Sequence, residues 1–322
     1  MYLPTIAELD AAAAIVYQAM PPTPQYSWPL LNQALGAEAW VKHENHTPLG
    51  AFKVRGGLVY MDALRRREPE LRGVLAATRG NHGQSVAFAA QRHGLAAKIF
   101  VPFGNSIEKN AAMRSLGAEL IEVGMDFQET REHATRVARD EGLHMVPSWH
   151  PDLVAGVATG WLELLRAQPD LDLVLVPIGQ GSGICAAIAA RQALGLKTKI
   201  VGVVSSHAPA YQLSLRAGKS IAAPVTTVVA DGLACRQPDP ASLDAILEFA
   251  DDIVAVSDDE VAYAMRLYYR ATHNLAEGAG AAALAAAMQL RASALVTGRK
   301  IGLPLTGGNV DAGLFRQILQ GP

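Results

Sequence analysis

LVLVPIGQGSGICAAIAARQA, residues 173–193, decides the fold. Leu173–Pro177 is an apolar run of strand length, and 184–193 is helix-length and Ala-rich. Between them Gly179, Gly181 and Gly183 interrupt both patterns, and 199–204 opens a further apolar run. Strand, glycine loop, helix and strand make one β-α-β unit, whose parallel strands are buried on both faces. The same alternation extends outward. Apolar runs at 73–78, 98–102, 119–123 and 143–146 enclose amphipathic stretches at 85–93 and Phe127–Glu141. Towards the end come a strand at Asp252–Val256, helices at Asp258–Thr272 and 280–290, and a last strand at Lys300–Leu305. The expected class is α/β. Breakers between Pro147 and Pro151 mark a crossing between a small domain, 74–150, and a large one, 1–73 plus 151–322.

Composition narrows the function. Of 322 residues, half are hydrophobic and 18% charged, which excludes a disordered or fibrous chain. Thirty acids against 28 bases leave a net charge of −2, so no basic field exists for nucleic acid or an anionic membrane. Cys185 and Cys235 are too few for a disulfide framework. No apolar stretch reaches membrane-spanning length, and Glu8 and Asp10 sit where an export signal would carry bases. A cytoplasmic enzyme acting on a small molecule is expected.

Four segments carry chemistry. In Gly50-Ala51-Phe52-Lys53-Val54-Arg55-Gly56-Gly57 a lysine follows an aromatic ring. An amine attacks a carbonyl only when neutral, and apolar crowding with a neighbouring cation, here Arg55, favours that state. The alternative is a surface lysine at a helix start. Thr78-Arg79-Gly80-Asn81-His82-Gly83-Gln84 joins a strand to a helix, whose free N–H groups suit a carboxylate; the same residues also suit a plain turn. Pro177-Ile178-Gly179-Gln180-Gly181-Ser182-Gly183 is a candidate phosphate cradle. A dinucleotide site would need an acid after the next strand, where Val203-Val204-Ser205-Ser206-His207 has none. Finally, Leu305-Thr306-Gly307-Gly308-Asn309 offers a hydroxyl able to meet a ring nitrogen without adding charge.

In this order the four segments closely resemble the fold-type II pyridoxal-phosphate enzymes, in the branch of threonine/serine dehydratases and serine racemases. The likeness implies two open twisted α/β domains, as in the tryptophan synthase β-subunit, with pyridoxal 5′-phosphate in the cleft between them. By resemblance, Lys53 forms the Schiff base and Phe52 lies beside the ring. Asn81 meets the 3′ oxygen, while Gly179, Gln180, Gly181, Ser182 and Gly183 hold the phosphate. Thr306 faces the pyridine nitrogen, and Glu277 stands near the cofactor. Thr78, Arg79, Asn81, His82 and Arg131 contact the amino-acid substrate. A mobile small domain and a homodimer are further implications. The implied reaction is dehydration and deamination of a 3-hydroxy amino acid, threonine-, serine- or 3-hydroxyaspartate-like, to a 2-oxo acid and ammonia. Alternatives are a racemase or β-replacement enzyme of this fold, or a non-catalytic nucleotide-binding protein.

The chain departs from the family pattern in places. Ala51 replaces a serine. Arg79 stands where racemases carry a serine base, and a guanidinium cannot take that role. Arg79 either clamps a second carboxylate or turns outward, and Arg131 either assists the substrate or belongs to a solvated helix face. Val204 and Ala210 occupy the positions of a divalent-cation site, so no metal is expected. Gln180 and Ser182 interrupt the glycine run. Trp149 either lines the pocket or packs between domains. With a short tail after Thr306, no regulatory domain is expected.

Overall fold

The computed structural model describes residues 3–321. Among the described residues, ten strands form two sheets: β1 (Gln25–Ser27), β2 (Glu38–His43), β3 (Gly73–Ala77), β4 (Ala96–Val101), β5 (Glu119–Glu122), β6 (His144–Met145), β7 (Leu173–Pro177), β8 (Lys199–Ser205), β9 (Asp252–Val256) and β10 (Lys300–Leu305). The larger sheet has the order β1-β2-β10-β7-β8-β9 and is parallel except for the edge strand β1. The smaller, wholly parallel sheet runs β5-β4-β3-β6. This is the expected α/β class. We propose 74–150 as the small, mobile domain against 1–73 plus 151–322, a division supported by which strands share each sheet.

Period-two alternation explains the layers. Leu173 and Leu175 of β7 face the Ala-rich helix Gly278–Leu290, together with Val201, Val203, Leu303 and Leu305. Val174 and Val176 face the helices Pro151–Ala167 and Ser182–Ala193 on the other side. In the small sheet, Val74, Ala76, Ile99 and Val101 pack in one cluster with the helix Asn81–Arg92. Leu75, Ala77 and Phe100 pack on the other face with Ala134 of the helix Phe127–Glu141.

The breakers at 147–150 form a short loop, and Pro151 starts a helix. Pro151 takes its first turn, and the His150 ring accepts from the Asp152 N–H. That helix packs closely on the helix Lys53–Arg67, because a side chain at Gly156 would collide with the Arg55 carbonyl oxygen. The first 72 residues hold elements the apolar pattern did not mark, β2 above all. Its inner end buries Lys42 and His43, so it does not read as an apolar strand. Among the described residues, no helix is long and apolar enough to cross a membrane.

Candidate active site

The strands deliver the four segments to one place. β7 ends in the glycine loop, β3 in the asparagine loop and β10 at Thr306, while the chain after β2 leads to Lys53. Ligand sites of open α/β sheets lie at such carboxyl ends. A cavity of about 1250 Å³ opens there, and all fourteen candidate residues line it: Phe52, Lys53, Thr78, Arg79, Asn81, His82, Arg131, Gly179, Gln180, Gly181, Ser182, Gly183, Glu277 and Thr306.

Lys53 is the first residue of its helix, and its Nζ donates to Ser182 Oγ at 2.9 Å. Burial lowers its pKa to about 8. Arg55 has no part in this, contrary to the sequence-based expectation. Its side chain is fully buried elsewhere, forked between Glu44 (2.7 and 3.0 Å) and Glu163 (2.7 and 2.9 Å), so its charge is neutralised. Two residues along a helix point different ways, and proximity in sequence misleads there.

The glycine loop is shaped by exclusion. A side chain at Gly179 would strike the Gly232 carbonyl oxygen. Gly181 has φ +94°, a left-handed conformation, and a side chain there would strike Ser242. Gln180 does not fill the loop: its amide reaches Cys235 Sγ at 3.6 Å, and its carbonyl accepts from the Tyr211 hydroxyl. Ser182 begins the following helix, whose first N–H groups lack intrahelical partners and favour an anion.

In the asparagine loop, the Thr78 hydroxyl accepts from the Gly80 N–H and shapes the turn. Asn81 opens the helix; its amide donates to Glu277 Oε1 at 2.5 Å, and its carbonyl accepts from Asn309 at 2.8 Å. One amide hydrogen of Asn81 stays free for an oxygen acceptor. Burial, with the Lys53 charge second, pushes His82 down to about 3, so its imidazole is neutral. Its Nε2 has no partner. Thr306 donates weakly to the Ala279 carbonyl at 3.4 Å, while its own carbonyl accepts from the Phe52 N–H.

Sequence reading missed an ionic pair that crosses the cavity. Lys109 of the small sheet's helices reaches Asp231 at 2.8 Å and Glu277 at 3.2 Å. Burial opposes the charge on Lys109, but the two carboxylates overcome it and raise its pKa. Burial raises Glu277, with Lys109 pulling the other way. No motif surrounds Lys109 or Asp231, so only their approach in space reveals them. Arg236, also missed, lines the same cavity, as does Trp161. Trp149 does not line it, and packs instead against the core beside Cys185.

These features suit pyridoxal phosphate: an amine poised to lose its proton, a loop with no room for side chains at Gly179 and Gly181, and an uncharged hydroxyl at Thr306. Fold and site together define the class of fold-type II pyridoxal-phosphate enzymes. Residues 16–307 match the model of that family, described as pyridoxal-phosphate dependent enzyme, and the chain belongs to it. Its relatives place it in the threonine dehydratase-like branch. It is 33% identical over 291 residues to the L-threonine ammonia-lyase of Thermotoga maritima, covering 90% of this chain and 72% of that protein. It is 31% identical over 322 residues to the L-threo-3-hydroxyaspartate ammonia-lyase of Saccharomyces cerevisiae, covering 100% and 98%. The structure of maize serine racemase superposes with a TM-score of 0.91 at 28% identity, covering 98% and 97% of the two chains.

Proposed function

We propose that the protein is a pyridoxal-phosphate-dependent ammonia-lyase that converts a 3-hydroxy amino acid to a 2-oxo acid and ammonia. The observation that carries this reading is the contact of Lys53 Nζ with Ser182 of the glycine loop, 2.9 Å across 129 residues of sequence. It puts the amine beside the cradle. When bound, the cofactor supplies an aldehyde for that amine and a conjugated ring that spreads negative charge from the α-carbon.

The protein's own groups do the rest. Glycine-loop amides and the Ser182 helix N-terminus would hold the phosphate, and the Asn81 amide would donate to the ring oxygen. The N-terminus of the helix Asn81–Arg92 receives the substrate carboxylate, and neutral His82 adds no competing charge there. Lys53, whose pKa burial lowers to about 8, loses its proton far more readily than an exposed lysine and, once neutral, takes the α-proton. Ser182 Oγ accepts from the same nitrogen and keeps it oriented. Thr306 leaves the ring nitrogen uncharged, which favours loss of a β-group over transamination. Racemisation is the second reading, prompted by the likeness to maize serine racemase. Arg79 argues against it, since a guanidinium cannot serve as the second base.

The test is direct. Purified protein reduced with borohydride should carry the cofactor on Lys53 and, unreduced, release 2-oxo acid from 3-hydroxy amino acids. Label on another residue, or a D-isomer product without oxo acid, overturns the proposal. A homodimer acting in the cytoplasm belongs to the same proposal, which light scattering and cell fractionation test.

A further inference from the structure

We infer that Arg79 and Arg236, with Arg131, form a binding site for a second carboxylate, so that the substrate is a 3-hydroxy dicarboxylic amino acid. The inference rests on the lyase reading and names its substrate class. A monocarboxylic amino acid brings two anions to this cavity, its own carboxylate and the cofactor phosphate. Both already have a place, at the N-termini of the helices Asn81–Arg92 and Ser182–Ala193.

The remaining cations fall into two groups. Lys42 and Arg55 are saturated by Glu163 and Glu44, and Lys109 by Asp231 and Glu277. Arg79, Arg131 and Arg236 line the cavity without any ion pair among the described residues. Two acids nearby do not serve them. Asp126 accepts from the Glu129 N–H and Asp239 from the Ser242 N–H, each capping a helix. Three solvent-exposed arginines on the lining of one cavity are thus free to take an anion, in a chain whose net charge is −2.

The walls are brought together by Lys109. Its stem packs on Gly80, next to Arg79, so that a side chain at Gly80 would meet it at 2.5 Å. Its amine bonds Asp231, five residues before Arg236. Arg79 thus comes from the small sheet's loop and Arg236 from the large sheet's side, and both line the same cavity. A planar fork from each wall suits a carboxylate, which takes two parallel hydrogen bonds from each. A methyl or phenyl β-substituent would leave those forks with nothing to bind. In the reaction the dicarboxylate loses its α-proton and β-hydroxide as water. It regains water at the carbon bearing nitrogen and leaves as a 2-oxo dicarboxylate plus ammonia.

The holoenzyme is assayed for oxo-acid release from the isomers of 3-hydroxyaspartate, from threonine and from 3-phenylserine. Succinate and butyrate binding are measured separately by calorimetry. The expected result is a kcat/KM for one 3-hydroxyaspartate isomer about tenfold or more above threonine, a ratio that Arg79→Ser and Arg236→Ser each reduce about tenfold or more. Succinate should bind, butyrate should not, and the double variant should lose succinate. Equal loss on all substrates, or a wild-type preference for threonine or 3-phenylserine, overturns the inference. If no 3-hydroxy amino acid releases oxo acid, the lyase reading fails. The succinate measurement then still decides the second-carboxylate site.

Discussion

Replacing Arg55 with methionine tests whether its buried cluster, two residues along the chain from Lys53, is held by charge. Arg55 has no exposed surface, and the side chains of Glu44 and Glu163 are 6% and 9% exposed. Four close contacts bind its guanidinium to these carboxylates, while Lys42 bonds Glu163 at 2.5 Å and Thr23 bonds Glu44 at 2.7 Å. Removing one partner of a buried pair costs about 3–5 kcal/mol, because the other charge stays buried. Here two carboxylates would be left with one cation. A loss of about 3–5 kcal/mol near pH 8 is expected, measured by urea unfolding of the cofactor-free protein followed by circular dichroism.

The pH dependence gives the sharper test. Burial acts to raise Glu44, but Arg55 outweighs it, so in the wild type the carboxyl lies below its ordinary 4.5. A lowered carboxyl contributes stability above its unfolded pKa and loses it as pH falls through the folded value. Without Arg55, burial dominates and the folded value rises above the unfolded one. The contribution is then present in acid and lost as pH climbs. The penalty of the variant must therefore shrink between about pH 8 and about pH 5. A loss under about 1 kcal/mol would show that the cluster is no stronger than a surface pair, and a loss that is flat over this window would refute the rise in the Glu44 pKa.

Three further outcomes follow from the site. In cofactor-free protein, reductive alkylation at Lys53 should rise with a midpoint near 8, and a midpoint above about 10 would remove the buried, neutral-prone amine. Because the unfolded chain keeps that proton up to about 10.5, Lys53 should also add stability as pH rises from about 8 to 10.5. Gly179→Ala places a methyl against the Gly232 carbonyl, so the loop must shift, and pyridoxal phosphate affinity should fall about tenfold or more. Unchanged affinity in a fluorescence titration would put the phosphate elsewhere.

Much of the fold was legible because its strands are apolar and short and its helices are not. Leu173–Pro177, Asp252–Val256 and Lys300–Leu305 fall where the pattern put them, and others shift by a residue or two. The helix Asn81–Arg92 starts four residues before the amphipathic stretch at 85, since its first turn is Asn-His-Gly-Gln and carries the loop's polar chemistry. β2 escaped notice because Lys42 and His43 break its apolar run, and they are tolerable only where distant groups meet them: Glu163 for Lys42 and Trp28 for His43.

By itself, then, the sequence determined the α/β class, the four loops and the cofactor chemistry they suit, all of which depend on residue type and local spacing. Only the tertiary structure decided which charges are spent and which are free. Arg55 looked like the activating cation beside Lys53 and is buried against Glu44 and Glu163. Lys109, in no motif, bridges Asp231 and Glu277, while Arg79, Arg131 and Arg236 line the cavity with no ion pair among the described residues. A buried charge takes its partner from whatever element packs nearest, and that proximity arises only once strands far apart in sequence lie side by side.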